Sequence, residues 1–343
     1  MMFMVPATTL PDVTFPGVAS GACGPLSGRG QMRFREFINS PAVVRLGVLI
    51  AQHAPRWVGY SVATCMATFL ALRQPELYWI VHGNLARVLG PCADRKALHR
   101  GVYEVLRHAG QVYYDLFRAV GQPASVHRGM VQISDAALAR VTKELASGRG
   151  VLLVGPHVSN FNLGILSIAA RGLPMQVLSL PQPGASHRIV NALLTRSGIE
   201  VTPVSAESLR AAVRRLESGG LVFTGAEYPT GEGGDLVEFF GEPAYLPVGP
   251  ARLCLLAQVP VLVGGCFWDR RRGYAMDITG PVQAQKTGDR RADVLACARR
   301  IAAQVESYVR AHPTQWLMFQ RVWPGPQGAT CLPGGTRLDT GGV

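Results

Sequence analysis

Residues 148–164 read Gly-Arg-Gly-Val-Leu-Leu-Val-Gly-Pro-His-Val-Ser-Asn-Phe-Asn-Leu-Gly, and this run restricts the fold more than any other part of the chain. The turn Gly148–Gly150 opens it. Val151–Val154 is short, apolar, half β-branched and bounded by glycines, which is the pattern of a buried strand. Gly155-Pro156 stops the strand and leaves His157 just past its C-terminal end. Ser159 or Asn160 then caps a helix running through Leu163, Ile165, Leu166 and Ile168. A histidine at such a strand-to-helix turn stands where open α/β sheets hold ligands and catalytic groups. Imidazole suits general-base work near neutral pH. Such a base needs a partner to fix its tautomer, and the residue about one helical turn further on, Asn162, is an amide rather than an acid.

The alternation continues through the C-terminal half. Strands are predicted over Met175–Leu180, Ile199–Val204, Leu221–Thr224, Val261–Phe267 and Tyr274–Ile278. Helices are predicted over Ser186–Arg196, Ser208–Glu217 and Arg291–Ala311. This order implies an α/β fold with a mostly parallel central sheet flanked by helices. N-terminal to it, Tyr78–Leu89 and a segment from the capping Asp94 to Phe117 read as two further helices. His82, His99 and His108 fall there with no acid at ligand spacing, and read as surface or packing residues.

Residues 36–72 are the most apolar part of the chain. The run Val58–Leu72 falls short of the ~20 residues that span a bilayer, and a single span from 43 to 72 would bury His53, Pro55 and Arg56. Two interfacial helices with a break at Pro55 and anchors at Trp57 and Tyr60 fit better; a buried helix pair is the alternative. Of all residues 48% are hydrophobic and only 16% charged, a balance that suits a protein lying partly in a membrane interface. The expected organisation is a disordered tail over 1–31 (with Met32 as candidate functional start), an N-terminal membrane-associated helical region over 32–125, an α/β domain over 126–324, and a disordered tail over 325–343.

The net charge of +12 comes almost wholly from arginine, since the lysines are Lys96, Lys143 and Lys286. Arginine suits bidentate phosphate contacts, and a basic surface suits anionic lipid headgroups or acidic carriers. Nucleic acid is not indicated: zinc-finger spacing, basic heptad helices and RNA-binding aromatic motifs are absent from the sequence. Seven scattered cysteines indicate reduced thiols in a cytosolic compartment, without a disulfide framework or a metal cluster. No Gly-x-Ser-x-Gly elbow, Walker A loop or Gly-x-Gly-x-x-Gly fingerprint occurs.

A second block, Gly225-Ala-Glu227-Tyr228-Pro-Thr-Gly231, also follows a short apolar strand. Glu227 therefore sits at the same edge of the sheet as His157 and is a candidate carboxylate partner, 70 positions away. Tyr228 beside it is a candidate substrate contact, as is Phe240 in the block Leu236–Ala244, where core packing is the alternative. Arg188 and Arg196, on the helix between the two blocks, are candidates for a phosphate of donor or acceptor, or for a solvated helix face. Ser159 and Asn160 either donate to substrate or simply cap the helix.

These blocks, with Gly83–Leu89, Tyr113–Arg118 and the C-terminal His312-Pro-Thr-Gln-Trp316-Leu-Met-Phe319-Gln-Arg321-Val-Trp323, resemble the late acyltransferases of lipid A synthesis and their relatives that acylate mannosylated phosphoinositides, within the lysophospholipid acyltransferase group. The resemblance covers about residues 36–323. That group carries His, four residues, then Asp or Glu; this chain has Asn162 at the acidic position. In the mannolipid branch a glutamate in the second block partners the histidine, which for this chain implies Glu227. The resemblance implies a glycerol-3-phosphate acyltransferase-like fold and direct acyl transfer. His157 takes the proton of a lipid or glycolipid hydroxyl, and the alkoxide attacks the thioester of acyl-CoA or acyl carrier protein, without a cofactor or a metal. It implies a place on the cytoplasmic face of the cell (inner) membrane, peripheral or monotopic; the oligomeric state is left open. Because Asp to Asn in a serine-protease triad loses ~10⁴ in rate, three expectations stand: Glu227 supplies the charge, the enzyme is slow, or the fold is a silent protein that binds lipid or a partner protein.

Overall fold

The structure, a computed structural model, describes residues 41–181, 185–228 and 235–324. The expected tails at 1–31 and 325–343 and the candidate start at Met32 lie outside the described residues. Helices α1 (Pro41–His53), α2 (Arg56–Arg73), α3 (Glu76–Leu89) and α4 (Arg95–Arg118) come first. Pro55 and Pro75 stand at the N-caps of α2 and α3 and separate the helices. Asp94 is the N-cap of α4 by position, but its side chain makes no capping hydrogen bond.

The remaining elements alternate. They are α5 (Ala124–Met130), β1 (Val131–Ile133), α6 (Asp135–Ala146), β2 (Val151–Gly155), α7 (Phe161–Ala169), β3 (Met175–Ser179) and α8 (Ala185–Arg196). Then come β4 (Glu200–Pro203), α9 (Ala206–Glu217), β5 (Leu221–Gly225), the hairpin β6 (Leu236–Phe239) and β7 (Glu242–Tyr245), and α10 (Gly249–Ala257). β8 (Val261–Asp269), β9 (Gly273–Val282), α11 (Arg290–Ala311) and a 3₁₀ turn (Pro313–Gln315) close the order. Polar caps start three helices of this half: the Ser134 side chain accepts from Ala137 N–H at α6, Ser205 and Ser208 form a reciprocal capping box at α9, and Asp289 accepts from Arg291 and Ala292 at α11.

Seven strands form one sheet in the order β1-β9-β8-β2-β5-β3-β4. From β8 to β4 neighbouring strands are parallel; β9 turns back antiparallel on β8 and carries β1 parallel to itself. The α/β expectation with a mostly parallel central sheet holds, with this reversed edge as an addition. β2 lies inside the sheet and is buried throughout. Its side chains alternate between faces: Leu152 and Val154 join the core beneath α10 and α11, and Val151 and Leu153 the core beneath α7 and α8.

The N-terminal helices rest on this sheet through α4. Small residues allow close contact: a Cβ on Gly59 of α2 would lie 2.2 Å from the Tyr114 ring, and one on Gly110 would lie 2.7 Å from Ala63. The fixed point is Asp115. Its carboxylate is buried and accepts Tyr60 Oη at 2.8 Å, Tyr274 Oη at 2.8 Å and the Arg56 guanidinium at 3.2 Å. One side chain thus ties α2, α4 and β9 together, and the anion pushes the phenols of Tyr60 and Tyr274 above their usual range, after burial itself. No helix among the described residues is long and apolar enough to cross a membrane. Asp115→Ala removes the acceptor shared by the half-buried Tyr60 hydroxyl, the buried Tyr274 hydroxyl and Arg56, and should cost about 3 kcal/mol in urea unfolding, whereas Tyr274→Phe should cost about 1 kcal/mol.

Candidate active site

β2 and β5 pair in parallel register, with Gly155 opposite Gly225, and Ala226 N–H continues the ladder to Gly155 O at 3.1 Å. The loops that follow the two strands therefore start side by side. His157 stands two residues beyond one strand and Glu227 two beyond the other. Glu227 is buried, with 1% of its side chain exposed, against 23% for His157. A single oxygen, Glu227 Oε1, accepts three donors: His157 N–H at 2.5 Å, Trp316 Nε1–H at 3.1 Å and His157 Nδ1 at 3.3 Å. A carboxylate accepting at Nδ1 selects, for the neutral ring, the tautomer with the proton on Nδ1 and the lone pair on Nε2. The imidazole is further fixed by edge-on contact with Phe161 (centroids 5.0 Å, 72°) and by Tyr228 at 5.9 Å.

Gly225 lets the ring lie close, because a Cβ there would sit 3.2 Å from His157 Cε1 and the imidazole would have to give by a few tenths of an ångström. A small, mostly apolar cavity beside Glu227 is bounded by Leu246, Pro247, Ala298, Ile301 and Val305. Glu227 Oε2 is buried and has no hydrogen-bond partner among the described residues.

The segment after α11 braces the loop. Ser159 N–H donates to Gln315 O at 2.7 Å, and Leu317 N–H donates to His157 O at 2.8 Å. The Gln315 amide is itself clamped on β8, accepting Trp268 N–H at 2.7 Å and donating to Trp268 O at 2.8 Å. Trp316 and Gln315 were not among the residues singled out as candidates from the sequence, although they lie in the His312–Trp323 block that carried part of the resemblance. The spacing within that block gives no sign that it returns to His157.

The other candidates separate. Asn160 caps α7, accepting Leu163 N–H at 3.4 Å, and its amide donates to Val112 O at 3.0 Å. Ser159 is buried against His108 at 2.9 Å, so both residues face α4 rather than solvent. His108, expected as a surface or packing residue, is buried and bonded to the turn of the candidate base. Asn162 is half-buried on the first turn of α7 and makes no side-chain hydrogen bond among the described residues. Tyr228 borders His157 and accepts from Gln320 at 3.2 Å. Phe240 packs with Phe239 and Trp323 beneath the Arg310 guanidinium, without touching His157. α8 runs from the C-terminal end of β3 to the start of β4, which sets Arg188 on the His157 edge and Arg196 on the opposite edge of the sheet.

A buried carboxylate lies behind a partly exposed imidazole at the C-terminal edge of a parallel sheet, and among the described residues no serine or cysteine is hydrogen-bonded to that imidazole. It suits proton removal from a bound hydroxyl. Residues 35–324 match the family described as bacterial lipid A biosynthesis acyltransferase. The chain belongs to that family. Among curated relatives of this acyltransferase are proteins named phosphatidylinositol mannoside acyltransferase. Those of two Mycobacterium tuberculosis strains are 27% identical over 287 residues, covering 79% of this chain and 87% of theirs. The one from Mycolicibacterium smegmatis is 28% identical over 282 residues, covering 72% and 91%. Within the acyltransferase, Gly225→Ala should push the His157 ring by a few tenths of an ångström and lower kcat by about tenfold, short of the ~10²-fold that a ~1 Å misplacement costs. Steady-state kinetics beside a thermal melt that moves little would show it.

Proposed function

We propose that this acyltransferase moves a fatty acyl chain from the thioester of acyl-CoA or acyl carrier protein to a hydroxyl of a membrane glycolipid, with His157 as general base and Glu227 as its carboxylate partner. The observation that carries the reading is Glu227 Oε1 against both the peptide N–H and Nδ1 of His157. Nε2 removes the acceptor proton, and Glu227 stabilises the imidazolium that forms. The alkoxide attacks the thioester directly, and the imidazolium returns the proton to the leaving thiolate. Tyr228 borders the acceptor, and Arg188 meets a phosphate of donor or acceptor. No cofactor enters. Asn162 is tolerated because the charge opposite the ring comes from Glu227.

Residues 126–324 form the catalytic α/β part in this reading, and residues 32–125 the part that lies against the membrane. α2 turns its small residues Gly59, Ala63 and Ala67 inward. Leu46, Leu49, Trp57, Val62, Met66, Phe69 and Leu72 are exposed on α1 and α2. That inversion leaves a large apolar face, as an interfacial helix pair requires, and supports peripheral or monotopic attachment at the cytoplasmic face of the cell membrane. Anionic vesicles should co-sediment the protein, and replacing Trp57, Phe69 and Leu72 together by serine should release it; retention of the triple variant would count against this face.

The decisive test is acyl transfer from radiolabelled acyl-CoA and acyl carrier protein to glycolipid extracts. His157→Ala should abolish transfer, Glu227→Gln should lower it by about 10³–10⁴-fold, and Asn162→Asp should change it little. Wild-type protein that is inactive with every donor and acceptor, beside an Asn162→Asp variant that gains activity, would overturn the reading in favour of a silent member of the fold.

A further inference from the structure

The turn that carries His157 contains a backbone conformation foreign to its residue. Ser159 has φ +49°, in the left-handed region that disfavours any side chain with a Cβ. Its side chain is not placed for substrate, since the residue is 1% exposed. The hydroxyl instead shares a hydrogen bond of 2.9 Å with Nε2 of His108, itself buried on α4. One helical turn along α4, the Val112 carbonyl takes the Asn160 amide at 3.0 Å. A single helix therefore grips the second and third residues after His157. From the other side Gln315 O takes the Ser159 N–H.

The path of residues 158–160 decides where the His157 peptide and ring point. The ring is confined between Glu227, Gly225 and Phe161, so a small change in that path moves Nδ1 off the carboxylate. Serine reaches the left-handed conformation here with a fixed partner on a rigid helix. Burial, and next the charge of Arg107, push the His108 imidazole down to about 4, which keeps it neutral at ordinary pH.

We infer that His108 is a positioning residue for acyl transfer: through its hydrogen bond it holds Ser159 in the left-handed conformation that aims His157 at Glu227. The inference rests on the proposed role of His157, and it predicts a specific rescue. Glycine adopts φ +49° unaided, so a glycine at 159 should no longer need His108.

The experiment uses the full chain in membranes and compares His108→Leu, Ser159→Ala, Ser159→Gly and the double variant His108→Leu/Ser159→Gly. His108→Leu and Ser159→Ala should lower kcat about 10- to 100-fold, with KM changed less than about twofold, as for a misaimed base. Ser159→Gly and the double variant should stay within about threefold of wild type, because glycine holds the turn without help. In ¹⁵N-histidine-labelled protein the His157 Nδ1–H signal should shift in His108→Leu and return in the double variant. That signal needs no turnover, so it decides the inference even where the acyl-transfer reading fails. A lower melting temperature with kcat and the Nδ1–H signal unchanged in His108→Leu would overturn it, as would a double variant as impaired as His108→Leu. Where His108→Leu does not fold, the comparison of Ser159→Ala with Ser159→Gly decides: equal rates overturn the inference.

Discussion

The site depends on a buried carboxylate that must be satisfied. Glu227 lies where an unpaired charge would cost several kcal/mol, and the surrounding structure is arranged to supply donors to it. β2 and β5 bring the His157 peptide N–H to one of its oxygens, the ring adds Nδ1, and Trp316 adds an indole N–H. Three donors converge on Oε1, whereas Oε2 is buried with no hydrogen-bond partner among the described residues. The carboxylate is thus held by one oxygen, and that oxygen faces the base. Fixing the tautomer and stabilising a developing imidazolium are tasks for such a fixed, water-shielded charge.

Most of the fold was legible because its signals are local. The strands β2 to β5, β8 and β9, Asn160 as one of two candidate caps, the break at Pro55 and the long helix ending at Ala311 follow from apolar period, glycine, proline and cap residues. The segment from α5 to α6 was not read. β1 is three residues long and pairs with β9, more than 140 positions away, so no local pattern announces it. The β6–β7 hairpin turns through Phe240 at φ +54°, a position where a turn residue would be expected and an aromatic stands.

The site was legible in part. His157 and Glu227 each follow a recognisable strand, and parallel pairing of those strands places them together; the sequence suggested this but could not show adjacency. Asn162, read as the position of a missing acid, makes no side-chain bond to the ring, whereas His108 and Trp316 do reach the site. His108 carried no signal because its partner is 51 residues away. Trp316 stands 89 residues from Glu227, in a block known only by likeness. Contacts between distant segments through a single side chain have no period to read.

The brace formed by residues 315–317 has a consequence for biogenesis. A chain emerging from the ribosome acquires β2 and β5 well before this segment exists. Until it docks, Glu227 lacks the indole donor and the backbone on either side of the base lacks its clamp. The candidate site is thus completed by the last described part of the polypeptide. Partly made or truncated chains that end before Trp316 carry the sheet but lack the indole donor to Glu227 and the clamp on the His157 loop.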